Sequence, residues 1–298
     1  MVRGGAVSED AIGWSRRAVQ RVDLRSIRAR HKRWEHWALL NDELLFLVTL
    51  VDVGPFALQI VACCELATGT WREKVRLLRS LSLPERAHGA DIHGAGVSIL
   101  TRGEHTHLSV RGRLSAEVDI DRTGRDSLNV LVPFNAAANA APRFAFTSKH
   151  PGLPSRGTIN GRAFAGLATL DHGRGIWPWR TKWNWASAAN DQLAFNLGAR
   201  WTDHSDTNEN GFFLGRTLYP IAEDMRFTFD RRRPDIPVGI VGGDVDLLFT
   251  PIARKRARIE LGLVAADLDF RVGRFMGRIG GTTVQNLLGW CEAFDARW

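Results

Sequence analysis

Short runs of valine, leucine, isoleucine and phenylalanine recur along this chain, and each is closed by turn-forming residues. Asn41-Asp42, Gly54-Pro55, the ATGT of residues 67–70 and Gly103 are the clearest closures. Punctuation every ~8 to 15 residues leaves no room for sustained helical periods, so the pattern predicts an all-β sandwich or barrel. Helix content should be low.

The densest run is GIWPWRTKWNWAS, residues 175–187. Trp177, Trp179, Trp183 and Trp185 share one parity, while Arg180, Lys182 and Asn184 share the other, which is the alternation of a strand with one apolar and one polar face. At ~200 Å² per indole, four rings exceed the apolar patch a monomer normally leaves in water. Something must cover that face: the protein's own core, an apolar ligand, or a partner.

One stretch is long enough to test as a membrane span. LLFLVTLVDVGPFALQIVACC, residues 44–64, meets the ~20-residue requirement, but Asp52 and Gly54-Pro55 interrupt its middle. An aspartate costs ~3 kcal/mol at the centre of a spanning helix, whereas Asp-Val-Gly-Pro between two apolar runs makes a turn. A hairpin of two buried strands is predicted, and no integral membrane segment.

The net charge of +8 raises nucleic acid as a partner. Residues 1–33 hold nine Arg or Lys against three Asp or Glu, so one basic arm supplies most of the excess. No zinc-finger, RRM or KH spacing accompanies it, and the reading is a solvated arm with no nucleic-acid partner. Cys63 and Cys64 are adjacent, and with one further cysteine they form neither a disulfide framework nor a CxxC motif. That usage, with an N-terminus lacking an apolar signal region, predicts a reducing, cytoplasmic setting.

In the second half, SKHPGLPSRG at 148–157 concentrates proline, glycine and serine and is the expected boundary, giving domains 1–155 and 156–298. Asn160-Gly161 immediately after it signals a two-residue hairpin. DVDLLFTP, with Val245, Leu247 and Phe249 on one parity, reads as a half-buried strand, and QNLLGWCEAF near the C-terminus fits a strand or a short helix equally.

Neither a P-loop, a nucleophile elbow nor a dinucleotide fingerprint is present. His105 and His107 in EHTH would share a strand face, but two histidines fall short of a zinc site, and no metal is expected. The polar loop TDHSDTNENG, residues 202–211, leads Glu209 and Asn210 towards the apolar Phe212-Phe213. A carboxyl at the rim of a dry aromatic pocket can serve as a general acid. Asp171, just ahead of the tryptophan run, is a second such carboxyl, or a turn residue paired with Arg174.

LDHGRGIWPWRTKWNWAS, then NLGARWTD and TNENG, with KRWEHW early and VDLLFTP late, resemble the bacterial family catalogued as domain of unknown function 2804. The match runs in order over nearly the whole chain. More distantly, that family is similar to the lipocalin-like two-domain proteins that include carotenoid 1,2-hydratase (hydroxyneurosporene synthase). This resemblance implies two consecutive antiparallel lipocalin-like β-barrel or sandwich domains that bind apolar molecules and work without cofactors. It places a tryptophan, Trp179, where the family more often has tyrosine.

The combined expectation is a cofactor-independent hydratase, isomerase or cyclase acting on a small apolar, isoprenoid- or polyketide-like molecule held between the domains. Glu209 would be the acid, with Asp171 and Asn184 as the other catalytic candidates. Trp177, Trp179, Trp183, Trp185, Arg180 and Asn210 would line the ligand. A non-catalytic carrier of the same shape, or tryptophans that only pack an interface, remain open alternatives.

Overall fold

The computed structural model describes residues 2–3, 6–22, 24, 31–54, 56–84, 91–134, 143–203, 207–261 and 264–297. Parts of the basic arm, Pro55 and residues 204–206 of the polar loop therefore lie outside the described residues. Among those described, helix is confined to a three-residue 3-10 turn, Glu9–Ala11. No helix is long and apolar enough to cross a membrane. All else that is regular among the described residues is antiparallel strand: two large curled sheets with lipocalin-like architecture and a two-stranded ribbon of Val2–Arg3 with Ala6–Val7.

The chain divides into two compact units: residues 1–65 with 71–177, and residues 66–70 with 178–298. In the first, the sheet runs from Thr70–Leu78 through Ala57–Glu65, Leu44–Asp52 and Lys32–Leu40 to the long strands Arg162–Ile176 and Arg143–Ile159. It continues through Ala116–Asp121, His105–Val110 and Val97–Arg102 to Asp91–Gly94. The second unit's sheet is ordered Thr217–Pro220, Gly211–Leu214, Leu193–Ala199, Arg180–Ala189, Thr282–Arg297, Val264–Ile279, Val245–Leu261, Val238–Gly242 and Arg226–Phe227.

Local chemistry explains the register. Leu44–Asp52 and Ala57–Glu65 pair as the expected hairpin, and Asp52 shapes its turn by accepting the Gly54 N–H at 2.9 Å. Burial alone would raise the Asp52 pKa, but hydrogen bonds from His31, Arg33 and Gly54 hold it well below the usual carboxylate range. At the Asn160-Gly161 turn both residues have positive φ, 51° and 76°, as a two-residue hairpin turn with matching twist requires.

SKHPGLPSRG is not a linker. Residues 148–157 lie within the single strand Arg143–Ile159, and its Pro151-Gly152 forms a bulge where the register shifts between His150 and Leu153. Proline and glycine mark bulges as well as boundaries, and the division of the chain falls after Trp177 instead. QNLLGWCEAF resolves as strand within Thr282–Arg297; a register shift there, with Asn286 at φ 54°, blurs its alternation.

Each sheet has its own core. Trp37, Leu39, Phe46, Val48, Leu50, Ala168 and Leu170 belong to the first. Ala186, Ala188, Phe195, Leu197, Phe249, Phe275 and Cys291 belong to the second. Because side chains alternate across a strand, these lists fix which residues point the other way.

Candidate functional site

The tryptophan run is not one face. Strand Arg162–Ile176 ends before Trp177, strand Arg180–Ala189 starts after Trp179, and Pro178 between them donates no ladder hydrogen bond. Trp177 therefore belongs to the first unit, Trp179 is 47% exposed, and Trp183 and Trp185 alone share the strand face expected of all four.

In the second unit, Ala186 and Ala188 point to the core, so Trp183 and Trp185 occupy the opposite face. There Trp183 stacks on Phe294 at 4.2 Å and donates its indole N–H to Glu292 Oε1 at 2.7 Å. Trp185 meets Trp290 edge-on at 5.4 Å and donates to Asn196 Oδ1 at 2.7 Å. Asn196 Nδ2 in turn donates to the Glu209 carbonyl at 2.7 Å.

Glu209, 3% exposed, brings its carboxyl to this same face. Oε1 accepts the Trp201 indole N–H at 2.9 Å and would lie 2.6 Å from a Cβ added to Gly198, so glycine there makes room for it. Asn210 fixes the segment, its Oδ1 accepting the Gly198 N–H at 2.6 Å and its Nδ2 donating to the Glu223 carbonyl at 3.2 Å.

Asn184 is placed elsewhere. It shares parity with the core-facing alanines, and its Nδ2 donates to the Glu292 carbonyl at 3.5 Å. It borders a cavity of about 1130 Å³ with Met225, Phe229 and Val245, where four arginines and five aspartates also contribute to the wall. Neither Glu209 nor any of the four tryptophans lines that cavity. Arg180 is exposed, paired in register with Arg297.

In the first unit, Asp171 lies mid-strand rather than in a turn, on the opposite face from Arg174 and from the core-facing Leu170. Its partner is Lys149, with Nζ 3.0 Å from Oδ1; the two side chains are 10% and 4% exposed. The register sets Lys149, Asp171, His36 and Thr49 side by side on four neighbouring strands. His36 Nδ1 is 2.7 Å from Thr49 Oγ1. Burial pushes the His36 pKa down to about 4, with Asp171 opposing and Lys149 adding to the fall. Two residues along from Asp171, Gly173 carries the Trp34 ring so closely that a Cβ would meet it at 2.0 Å. Trp34 and Phe134 each stand 5.4 Å from Trp177.

The core side of the same strand holds polar groups the sequence did not single out. His172 Nδ1 is 2.7 Å from Glu35 Oε2, and Trp37 Nε1 donates to Glu35 Oε1 at 3.1 Å. His172 is 1% exposed, and among the described residues no hydrogen-bond partner reaches its Nε2. The alternation of LDHGRG would have separated Asp171 from His172. Nothing local would have paired either with residues over 20 positions away.

His105 and His107 do share a face, with carboxylates opposite them. His105 is 3.6 Å from Asp121, and His107 lies between Asp119 at 2.7 Å and Glu117 at 3.0 Å. The hydrogen bond to Asp119, opposed by partial burial and aided by Glu117, raises the His107 pKa. Among the described residues no group of three or more His, Cys, Asp or Glu could hold a metal ion.

Two lipocalin-like β units, each with a buried acidic group on the face away from its core, define an all-β protein. Among proteins with curated descriptions, none matches this chain. Its sequence from residue 2 to 298 matches the family described as Domain of unknown function (DUF2804), and the chain belongs to that family.

Solved structures share the fold at low identity. A kievitone hydratase from Nectria haematococca is 10% identical, with a TM-score of 0.55 over 90% of this chain and 88% of that one. A putative AttH from Nitrosomonas europaea is 15% identical, with a TM-score of 0.56 over 89% and 92%. CghA in complex with Sch210972 is 10% identical, with a TM-score of 0.51 over 91% and 89%.

Proposed function

We propose that this chain is a cofactor-independent lyase or isomerase that protonates a small apolar alkene, with Glu209 as the acid. The carrying observation is the carboxyl of Glu209, 3% exposed and held by an indole N–H beside the Trp185 and Asn196 pair. The fold shared with a kievitone hydratase supports the lyase reading.

In the proposed step the Glu209 O–H bond breaks and its proton forms a C–H bond at one alkene carbon. The cation left at the other carbon faces indole rings, a contact worth ~2 kcal/mol when desolvated. Water adds there and returns a proton to the Glu209 carboxylate, so hydration is net addition of water; loss of a neighbouring proton instead gives isomerisation. Asn210 and Asn196 hold the acid in place, while Asn184 takes no part in this step. Trp179 and Arg180 are exposed and are not assigned to the ligand.

The test is turnover of prenylated phenols in oxygen-18 water, followed by mass spectrometry. Glu209→Gln keeps the size of the side chain and removes the transferable proton, and should lower label incorporation by ~100-fold or more. Equal incorporation by parent and variant would remove Glu209 as the acid. If no compound turns over while Trp185→Ala abolishes binding, the chain is a carrier.

A further inference from the structure

The cavity of about 1130 Å³ in the second unit takes no part in the step proposed for Glu209, yet one of its walls is held in place by buried groups. Residues 229–231 belong to that wall. Arg271, without solvent exposure, lies over the Phe229 ring at 4.1 Å and donates to the Asp230 carbonyl at 2.6 Å, while Arg254 donates to the Arg231 carbonyl at 2.9 Å. Asp269 neutralises both arginines. Thr228 is tied to Gly239 in both directions, its N–H donating at 2.9 Å and its Oγ1 accepting at 2.7 Å. A cavity with such a fixed wall binds without the cost of ordering it.

On the sheet, register sets Asn184 between Ala199 and Ala293 of the neighbouring strands. All three line the cavity, and the two alanines are too short to cover the amide. Asn184 is 6% exposed, and the one hydrogen bond of its side chain among the described residues is the 3.5 Å contact from Nδ2 to the Glu292 carbonyl. That leaves Oδ1 as an acceptor and one Nδ2 hydrogen as a donor, side by side. Met225, Phe227, Phe229, Val241 and Val245 make much of the remaining wall apolar. The four arginines and five aspartates nearly cancel in charge, and none of them is buried.

We infer that this cavity binds a neutral, ring-sized molecule carrying a hydrogen-bond donor and an acceptor side by side, as a lactam does, paired with the Asn184 amide. Its apolar body lies against Met225, Phe227 and Val245. A carboxylate, which only accepts, would set an oxygen against Oδ1, and an ammonium, which only donates, would leave Nδ2 unmatched. The place is distinct from that of Glu209, because Trp183 and Trp185 face the other side of the strand that carries Asn184. No covalent step is involved.

Equilibrium dialysis of the full chain with 2-quinolinone and its N-methyl derivative tests this, since methylation removes the donor and keeps the rings and the carbonyl. The parent should prefer 2-quinolinone by ~5-fold or more, the usual worth of a hydrogen bond whose loss leaves a buried acceptor unpaired. It should bind 2-naphthoate, an anion of similar size, more weakly than 2-quinolinone. Asn184→Leu keeps the size of the side chain and removes both partners, so it should bind the two lactams alike, within ~2-fold. Should that variant fail to fold, Val241→Trp fills the cavity from another strand with Asn184 intact, and should lower the affinity for 2-quinolinone by ~10-fold or more. Equal affinity of the parent for the two lactams, binding of neither, tighter binding of naphthoate, a preference that survives Asn184→Leu, or an affinity unmoved by Val241→Trp overturns the inference. So does loss of 2-quinolinone binding in Glu209→Gln, which would put the ligand at that carboxyl. Since dialysis reads binding alone, the result is independent of whether Glu209→Gln changes turnover.

Discussion

Acid should unfold this protein earlier when His36 is present than when it is not. In the folded chain burial holds the imidazole at about 4, against 6.5 for the free group. As pH falls through 6.5 the unfolded chain takes up a proton that the folded chain refuses, so stability declines; the decline ends once pH passes below the folded value. The gap, at ~1.36 kcal/mol for each pH unit, amounts to about 3 kcal/mol. Urea unfolding followed by tryptophan emission at steps from pH 7.5 to 4 gives the parent curve. His36→Gln retains a hydrogen-bonding partner for Thr49 and cannot titrate, so its curve should be flatter by that amount. Asp52 and the other carboxylates titrate in both proteins and cancel in the difference. Parallel curves for parent and variant would refute the argument, since they would mean that His36 takes its proton as readily folded as unfolded.

Asp269, fully buried between Arg254 at 2.6 Å and Arg271 at 3.2 Å, neutralises a guanidinium with no solvent exposure. Asp269→Ala should cost ~3 to 5 kcal/mol in urea unfolding, and replacing Arg271 by Met in addition should recover part of it. Gly173→Ala forces the Trp34 ring from the backbone; it should cost ~1 to 3 kcal/mol, seen as a lower melting temperature.

Period-two alternation made much of the architecture legible. It gave the strand at Val245–Phe249, the hairpin around Asp52 and the turn at Asn160-Gly161, because each depends on neighbours in sequence. Proline and glycine were ambiguous for a physical reason. Pro151-Gly152 makes a bulge inside a strand, while Pro178 ends a tryptophan-bearing segment that reads as continuous. The candidate site was legible only in part for a different reason. Glu209 and Asp171 stand out as carboxyls beside apolar runs, but Lys149 sits in a segment that reads as a linker, and His36 and Trp34 come from a strand over 130 residues earlier. Register brings them together, and register between distant strands leaves no local signature.

The direction in which each buried acid points separates scaffold from site. Asp269 faces its core and is closed off by two arginines; Glu35 faces its core and takes both an indole and an imidazole nitrogen. Those are arrangements that stabilise a fold once the charge is committed to the interior. Asp171 and Glu209 face away from their cores, where water would solvate a carboxylate at no cost. Yet both are under 10% exposed: Gly198 leaves room for the Glu209 carboxyl itself, and Gly173, two residues from Asp171, leaves room for the Trp34 ring. Removing a carboxylate from water on the non-core side gains nothing for folding.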